Sequence, residues 1–201
     1  MDAKHISDEV AADDNGISAS ANPANNADLT IGGALHSGGT VTNTGGRIVE
    51  ITSAGDDDAI DATVIGTDVN GDALSQTIDL ADSGAAVTTA FFKTITKITM
   101  IGNSAGNIIA GTTTSAADVI SKETCRLKQC NIVSGGTAGV INFHNGITDG
   151  VPGTILFKAR TIGTDNTNEM INLGDDGVLF DKGCYVTYTI GHIDMMNFFF
   201  N

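Results

Sequence analysis

The sequence predicts an all-β protein with two antiparallel β-sandwich domains, immunoglobulin-like or jelly-roll-like, that follow an extended N-terminal arm. Runs rich in Thr, Val and Ile alternate apolar and polar side chains, as over residues 60–64, 74–80 and 184–190. A period of two is typical of a half-buried strand. The runs end at Gly, Asn or Asp, which are turn residues. Helical spacing is hard to find anywhere in the chain.

Composition and charge narrow the classes of function. The chain has 201 residues, of which 41% are hydrophobic, too many for a disordered chain. No apolar run approaches the roughly 20 residues of a membrane helix, so no membrane partner is expected. The net charge of −14 argues against nucleic acid, because phosphate binding needs clustered Lys and Arg. The start of the chain lacks the basic and apolar regions of a secretory signal, which predicts a protein that stays where it is made.

Residues 1–28 are predicted to be the N-terminal arm. They hold few apolar side chains and include three polar runs, at Asp8-Glu9, 13–16 and 22–26. Two interpretations stay open, an arm that becomes ordered on a neighbouring molecule and a floppy terminus. We expect deletion of the arm to weaken attachment to a partner more than it lowers thermal stability.

Residues 29–118 are predicted to form the first sandwich domain, from about seven short strands. Asn70-Gly71 lies between two alternating runs and is the strongest hairpin signal, because a type I′ turn needs positive φ at both central residues. The Thr, Ser and Ala residues of 112–118 are typical of a linker or an edge. Residues 1–120 hold 16 acidic and 4 basic residues, so we expect a solvated outer surface in this half of the chain.

Residues 119–201 are predicted to form the second sandwich domain. Its last strand is apolar on both faces, because it ends in Phe198, Phe199 and Phe200. Such a strand lies in the centre of a sandwich or is buried between subunits, since an exposed Phe run at an edge promotes aggregation. This pattern favours a homo-oligomer, for which we expect a trimer, and makes the three Phe residues candidate interface residues.

A basic cluster lies near the junction of the two predicted domains. It consists of Lys122, Arg126 and Lys128. Isolated exposed charges contribute little to stability, so ordinary surface charge explains the cluster. The alternative is a contact point for the acidic surface of a partner protein, and the three residues are therefore candidate interface residues as well.

Residues 68–72 have the alternating oxygen ligands of a calcium loop. However, Ala73 stands where an EF-hand would need Gly, and no helices flank the segment. A hairpin turn selects the same Asn, Gly and Asp residues. We therefore expect no calcium ion here.

Four residues could in principle make a Cys₃His zinc site: Cys125, Cys130, Cys184 and His192. Strand alternation would put Cys125 and Cys130 on opposite faces of a regular strand. We expect the cysteines to be small buried residues with free thiols, and we expect neither a metal nor a cofactor.

No catalytic residue is predicted. The histidines could be general bases only if nucleophile and acid partners converged on them: His5, His36, His144 and His192. Asp149 is near His144 in sequence, but across a turn-rich stretch, and no nucleophile elbow is present. The sequence therefore favours a protein that is not an enzyme, and turnover that is lost in His144→Ala would contradict this expectation.

Two stretches resemble modules of virion proteins from tailed bacteriophages. Residues 66–78 with 91–99 resemble a β-sandwich module common in those proteins, and residues 153–188 resemble a second module of small phage head and tail proteins. The resemblance implies a virion component that is assembled in the host bacterial cytoplasm. Within that class it implies a capsid decoration (cement) protein, which bridges and stabilises subunits of the major capsid protein on the head.

Two other functions remain open at this point. A tail or head–tail connector protein would form rings or tubes rather than trimers. A host- or carbohydrate-binding module would stack aromatic side chains on sugar rings, but Trp is absent and only Tyr185 and Tyr188 are tyrosines.

Overall fold

The computed structural model describes residues 1–7 and 10–201 and confirms the all-β prediction. In these residues there is no α-helix, and paired strands run antiparallel. Asp8-Glu9, which the sequence assigned to the arm, lies outside the described residues. The described strands in chain order are β1 (Asp2–Ser7), β2 (Asp13–Ala21), β3 (His36–Ser37), β4 (Thr40–Ser53), β5 (Asp61–Thr67), β6 (Ala73–Asp79), β7 (Ala85–Val87), β8 (Phe92–Ile101), β9 (Ile108–Ser121), β10 (Cys125–Ser134), β11 (Gly139–Thr148), β12 (Val151–Thr161), β13 (Asn168–Asn172), β14 (Val178–Phe180), β15 (Cys184–Thr189) and β16 (Ile193–Phe200).

The chain divides into two compact units. The terminal unit consists of Met1–Ala11 and Thr114–Asn201, and the central unit consists of Ala12–Thr113. These bounds differ from the predicted domains at 29–118 and 119–201, because the terminal unit takes strands from both ends of the chain. Residues 112–118, which the sequence suggested as a linker or an edge, lie within the continuous strand β9.

The terminal unit is a β-sandwich. One sheet has the order β1-β16-β10-β13, with β14 also paired to β10, and the other contains β12-β11-β15 and the second part of β9. The facing sides share one apolar core, in which Phe143 of β11 meets Phe198 of β16 edge-on with ring centroids 5.8 Å apart. The predicted alternation along β15 is confirmed, since Cys184, Val186 and Tyr188 are all buried in this core.

The central unit is built around the long strand β4. The strand order is β9-β4-β8-β5-β6, with β2 beside β9 and with β3 and β7 beside β4. β4 pairs with β8 as far as Arg47 and with β7 from Glu50 onwards. A strand that changes its partner along its length can turn a corner between two packed layers. The apolar core of this unit includes the fully buried side chains of Ile17, Phe92 and Ile98.

The described residues of the range 1–28 do not form a separate arm. β1 pairs with β16 in the terminal unit, and β2 pairs with β9 in the central unit. Ile6 and Ile17 are buried in the cores of these two units. Each strand carries few buried apolar side chains among polar ones, and this composition is hard to tell from that of a disordered terminus.

The predicted hairpin at Asn70-Gly71 is confirmed, but its turn is different from the expected type I′. β5 and β6 pair from Thr67 opposite Ala73 to Asp61 opposite Asp79. Within the connecting loop only Gly71 has positive φ, at 87°. A type I′ turn would need a second residue with positive φ. Here the loop is held instead by hydrogen bonds to the side chain of Asp68, which are described below.

Candidate interaction surface

The outer face of the β11–β12 hairpin is the candidate interaction surface. Ile141 and Phe143 of β11 and Ala159 of β12 belong to the core of the terminal unit. Successive side chains of a strand point to opposite faces, so the neighbours of these residues point away from the core. We call this surface the β11–β12 face and define it by Val140, Asn142, Lys158 and Arg160, together with Ile155, which lies opposite His144, the neighbour of Phe143.

Cross-strand pairing brings the two cations of this face next to uncharged side chains. Val140 lies directly opposite Arg160, and Asn142 lies directly opposite Lys158. Directly opposed residues of an antiparallel pair have Cβ atoms about 4.5–5.5 Å apart. The two cations lie two residues apart on one strand and therefore on the same side of the sheet.

The free edge of β12 has features that disfavour pairing with another strand. The register shifts between Phe143 and His144, so Leu156 is the extra residue of a β-bulge. Pro152 lacks a backbone N–H, and bulges, Pro and Lys are common protections of an edge strand. A partner would therefore bind the face of this hairpin and not extend its edge.

The β11–β12 face combines exposed apolar side chains with two cations that have no partner among the described residues. Val140 is 38% and Ile155 is 39% exposed. Lys158 and Arg160 are also exposed, and neither forms a hydrogen bond or an ion pair with any residue of the described ranges 1–7 and 10–201. Apolar side chains beside Arg are typical of protein interfaces, in which Arg is enriched although the other charged residues are depleted.

The predicted Phe interface is not available as a whole. Phe198 is fully buried in the core of the terminal unit, and Phe200 packs partly against the same core. β16 is covered on one edge by β1 and on the other by β10. The strand is therefore central in a sheet, which was one of the two positions that its apolar character allowed, and Phe198 cannot contact a partner.

The predicted basic cluster binds its own chain. Arg126 donates from Nη1 to the carbonyl oxygen of Asp176 over 3.0 Å, and Lys128 donates from Nζ to the carbonyl oxygen of Asp175. Both side chains therefore hold the turn that joins β13 to β14. Lys122 is exposed. These contacts support the interpretation of the cluster as ordinary surface charge more than as a contact point for a partner.

Asp68 organises the loop that resembled a calcium site. Its carboxylate oxygen Oδ1 accepts hydrogen bonds from the backbone N–H of Asn70 at 2.8 Å and of Asp72 at 3.0 Å, and the residue is buried. These contacts are those of a turn, which needs no ion.

The structure brings the three cysteines into one core, against the expectation from strand alternation. Cys125 and Cys130 are both buried in the core of the terminal unit, as is Cys184. The register of β10 against β16 shifts between Leu127 and Gln129, and this bulge restores the inward direction for Cys130. His192 follows the far end of β15 from Cys184. In the described part of the chain, no group of three or more His, Cys, Asp or Glu side chains is arranged to hold a metal ion.

His144, one of the four candidate general bases, has a structural role. His144 is buried, and its Nδ1 lies 2.9 Å from the carbonyl oxygen of Gly153, while its Nε2 lies 2.9 Å from Oγ1 of Thr187. The imidazole thus links β12, β11 and β15 through both ring nitrogens. Asp149 lies in the β11–β12 turn with a φ of 49°.

Sequence reasoning missed Lys158 and Arg160. The signal was present, because residues 157–161 alternate apolar and cationic side chains in the order Phe, Lys, Ala, Arg, Thr. That pattern predicts two cations on one face of a strand, but it does not reveal that the opposing strand offers them no carboxylate.

Comparisons with known proteins add no family assignment. No protein-family model matches the chain, and no curated protein matches it. Among the described residues, no helix has the length and apolar character needed to cross a bilayer.

Proposed function

We propose that the protein is a non-enzymatic structural component of a tailed-bacteriophage virion, and that it is a decoration protein on the outside of the head. The observation that carries the proposal is the β11–β12 face, which presents exposed apolar side chains and two cations that pair with no described residue on one face of a β-sandwich. The resemblance of residues 66–78, 91–99 and 153–188 to virion modules supports the particle context. The protein would bridge neighbouring subunits of the major capsid protein and would be assembled in the host cytoplasm.

The charge of the two units supports an arrangement in which the terminal unit faces the shell. The central unit holds 12 acidic and 3 basic residues, a net charge of −9, whereas the terminal unit holds 12 acidic and 7 basic residues, a net charge of −5. Excess charge keeps a surface solvated and repels other surfaces of the same sign. An acidic patch of a capsid subunit would fit the β11–β12 face, because complementary charge steers binding and apolar contact adds affinity.

A bridging protein does not need high affinity at each contact. Many symmetric copies bind at once, and each bound copy favours the assembled shell by mass action. The proposal includes self-association of the decoration protein, with a trimer as the expected state.

The test is co-sedimentation with empty capsids of the cognate phage. The double variant Lys158→Glu/Arg160→Glu should bind capsids on the order of tenfold or more weakly than the wild-type protein, because attraction becomes repulsion at a desolvated contact. Binding of the wild-type protein should also weaken as salt is added.

The matched control is Lys4→Glu/Lys182→Glu. Both lysines are exposed, belong to the terminal unit and lie outside the β11–β12 face. The control changes the net charge by the same amount, so it should keep most of the binding. Equal loss in both variants would show a non-specific charge effect. A wild-type protein that ignores capsids and forms rings or tubes in electron micrographs would favour a connector or tail component.

A further inference from the structure

Two of the three cysteines of the terminal unit lie close together in its apolar core. Cys125 is the first residue of β10, and Cys184 is the first residue of β15. Their side chains interact with each other. Because β10 and β15 belong to the two facing sheets of the sandwich, the thiol pair spans the core from one sheet to the other.

The backbone explains why these two thiols meet. Cys184 pairs with Ser121 in β9, and only a short turn separates Ser121 from Cys125. Gly183 lies so close to this turn that an added Cβ would come within 2.8 Å of the carbonyl oxygens of Ser121 and Lys122. The glycine therefore allows the start of β15 to approach the start of β10.

The environment of Cys125 favours its thiolate. Hydrogen bonds from the thiol of Cys184, from Ser121 and from the backbone N–H of Cys184 lower the pKa of Cys125 to about 7, against the opposing effect of burial. Burial raises the pKa of Cys130 to about 12. The hydrogen bond that it donates to Cys125, together with burial, raises the pKa of Cys184. The thiolate is the nucleophile of thiol chemistry, so the lowered pKa makes Cys125 the better nucleophile of the pair.

We propose that Cys125 and Cys184 form an oxidation site that a peroxide closes into a disulfide between the two sheets. In the first step the Cys125 thiolate attacks one oxygen of hydrogen peroxide, the O–O bond breaks, and the sulfenic acid of Cys125 and hydroxide are formed. In the second step the sulfur of Cys184 attacks the sulfur of the sulfenic acid, its proton leaves with the hydroxyl group as water, and the S–S bond forms. Peroxide supplies the two-electron oxidation, and the pair corresponds to an attacking and a resolving cysteine.

The cross-link would stabilise the terminal unit. It closes a loop of about 60 residues and joins strands of opposite sheets. A disulfide that closes a long loop restricts the unfolded chain, provided that the native geometry is not distorted.

The experiment uses the full-length protein, reduced and then treated with hydrogen peroxide. The treated wild-type protein should lose the mass of two hydrogen atoms, and its titratable thiols under denaturing conditions should fall from three to one. Peptide mapping without reductant should identify the cross-linked pair. The midpoint of thermal unfolding should rise by on the order of 5 °C or more and return after reduction with dithiothreitol.

Cys130→Ala is the matched control, because Cys130 is buried in the same core but has a raised pKa. This variant should still form the cross-link, whereas Cys184→Ala should stop at the sulfenic acid, detectable by dimedone labelling of Cys125. Three titratable thiols after treatment of the wild-type protein, or a cross-link that contains Cys130, would overturn the proposal. The wild-type measurements need no variant to fold, and they need no capsid, so their outcome is independent of the proposed function.

Discussion

Gly33 has no room for a side chain, whereas its neighbour Gly32 has. An added Cβ at Gly33 would lie 2.2 Å from the backbone oxygen of Asn15 and 2.4 Å from the carbonyl carbon of Gly16. The N–H of Gly33 donates to the carbonyl oxygen of Ile17 at 3.0 Å, which fixes the segment against β2. At Gly32 the nearest atom to an added Cβ is a methyl carbon of Thr30 at 3.7 Å, an ordinary contact.

We therefore expect opposite results from two adjacent substitutions. Gly33→Ala should lower the free energy of unfolding by about 1–3 kcal/mol or more, because backbone atoms of β2 must move. Gly32→Ala should be neutral or stabilising by up to about 1 kcal/mol, because alanine restricts the unfolded chain. Urea denaturation of the two variants measures both values, and a similar loss in each would contradict this account of the contact.

Single residues also decide local details that the strand pattern does not. The Asp68 carboxylate organises the β5–β6 loop, so a pattern of oxygens that resembled a calcium site is explained by turn chemistry. One extra residue in β10 reverses the direction of the side chains that follow it, which brings Cys130 to the same core as Cys125. Strand alternation predicts the directions of side chains only within a stretch that contains no bulge, and nothing in the local sequence of β10 marks the bulge.

At the scale of the element, the N-terminal strands are part of both cores. β2 contributes Ile17, which has no exposed surface and packs in the core of the central unit. Deletion of residues 1–28, which we expected to weaken attachment more than thermal stability, should therefore also lower stability substantially. Deletion would remove β1 from the terminal unit and β2 from the central unit.

The energetic importance of β2 can be measured with one substitution. Ile17→Ala should cost about 2–5 kcal/mol of unfolding free energy, because a fully buried side chain leaves a cavity. Ile155→Ala removes the same atoms from a side chain that is 39% exposed, and its cost should stay under about 1 kcal/mol. Calorimetry or urea denaturation gives both values. An Ile17→Ala variant that is as stable as the wild-type protein would indicate that β2 is dispensable.

At the scale of the whole molecule, the net charge is −14, and the acidic side chains differ in whether a positive charge lies beside them. Repulsion by Asp82, and then by Asp58, raises the pKa of Asp56 in the central unit. A hydrogen bond from Thr99, with the positive charge of Lys97 beside it, lowers the pKa of Asp28. All of these groups are on the surface, so the effects are small and depend on salt.

The two shifts predict opposite pH profiles. A carboxyl group with a raised folded-state pKa, such as Asp56, reduces stability when it is ionised. Asp82→Asn removes the repulsion that raises this pKa, so it should raise the unfolding midpoint near neutral pH. A carboxyl group with a lowered pKa contributes stability above its ordinary value, so Asp28→Asn should lower the midpoint there. The effect of Asp82→Asn should vanish as the pH falls below the ordinary carboxyl value of 3.8, where Asp56 is protonated in either state. The effect of Asp28→Asn should persist to lower pH and vanish only below the lowered folded-state pKa of Asp28. Thermal melts across this range, with and without added salt, provide the measurement, and effects of equal sign would refute the assignment.

The candidate surface could be predicted only in part. Alternation at 157–161 places Lys158 and Arg160 on one side of a strand, and that follows from the sequence. That Val140 and Asn142 lie opposite them, and that neither cation pairs with a carboxylate of the described residues, depends on the register of β11 against β12. The partners of Arg126 and Lys128 could not be predicted from the local sequence. The turn whose carbonyl oxygens they bind is about 50 residues further along the chain.

The amino-acid sequence by itself determined the all-β class, the period of two along most strands and the hairpin at Asn70-Gly71. These features follow from local sterics and from the pattern of side chains over a few residues. Only the tertiary structure decided that β1 and β16, from the two ends of the chain, share a sheet, that Phe198 is internal, and that Cys125 meets Cys184. Such pairings join residues far apart in sequence, and the free energy that selects them comes from the shared core and not from any single segment.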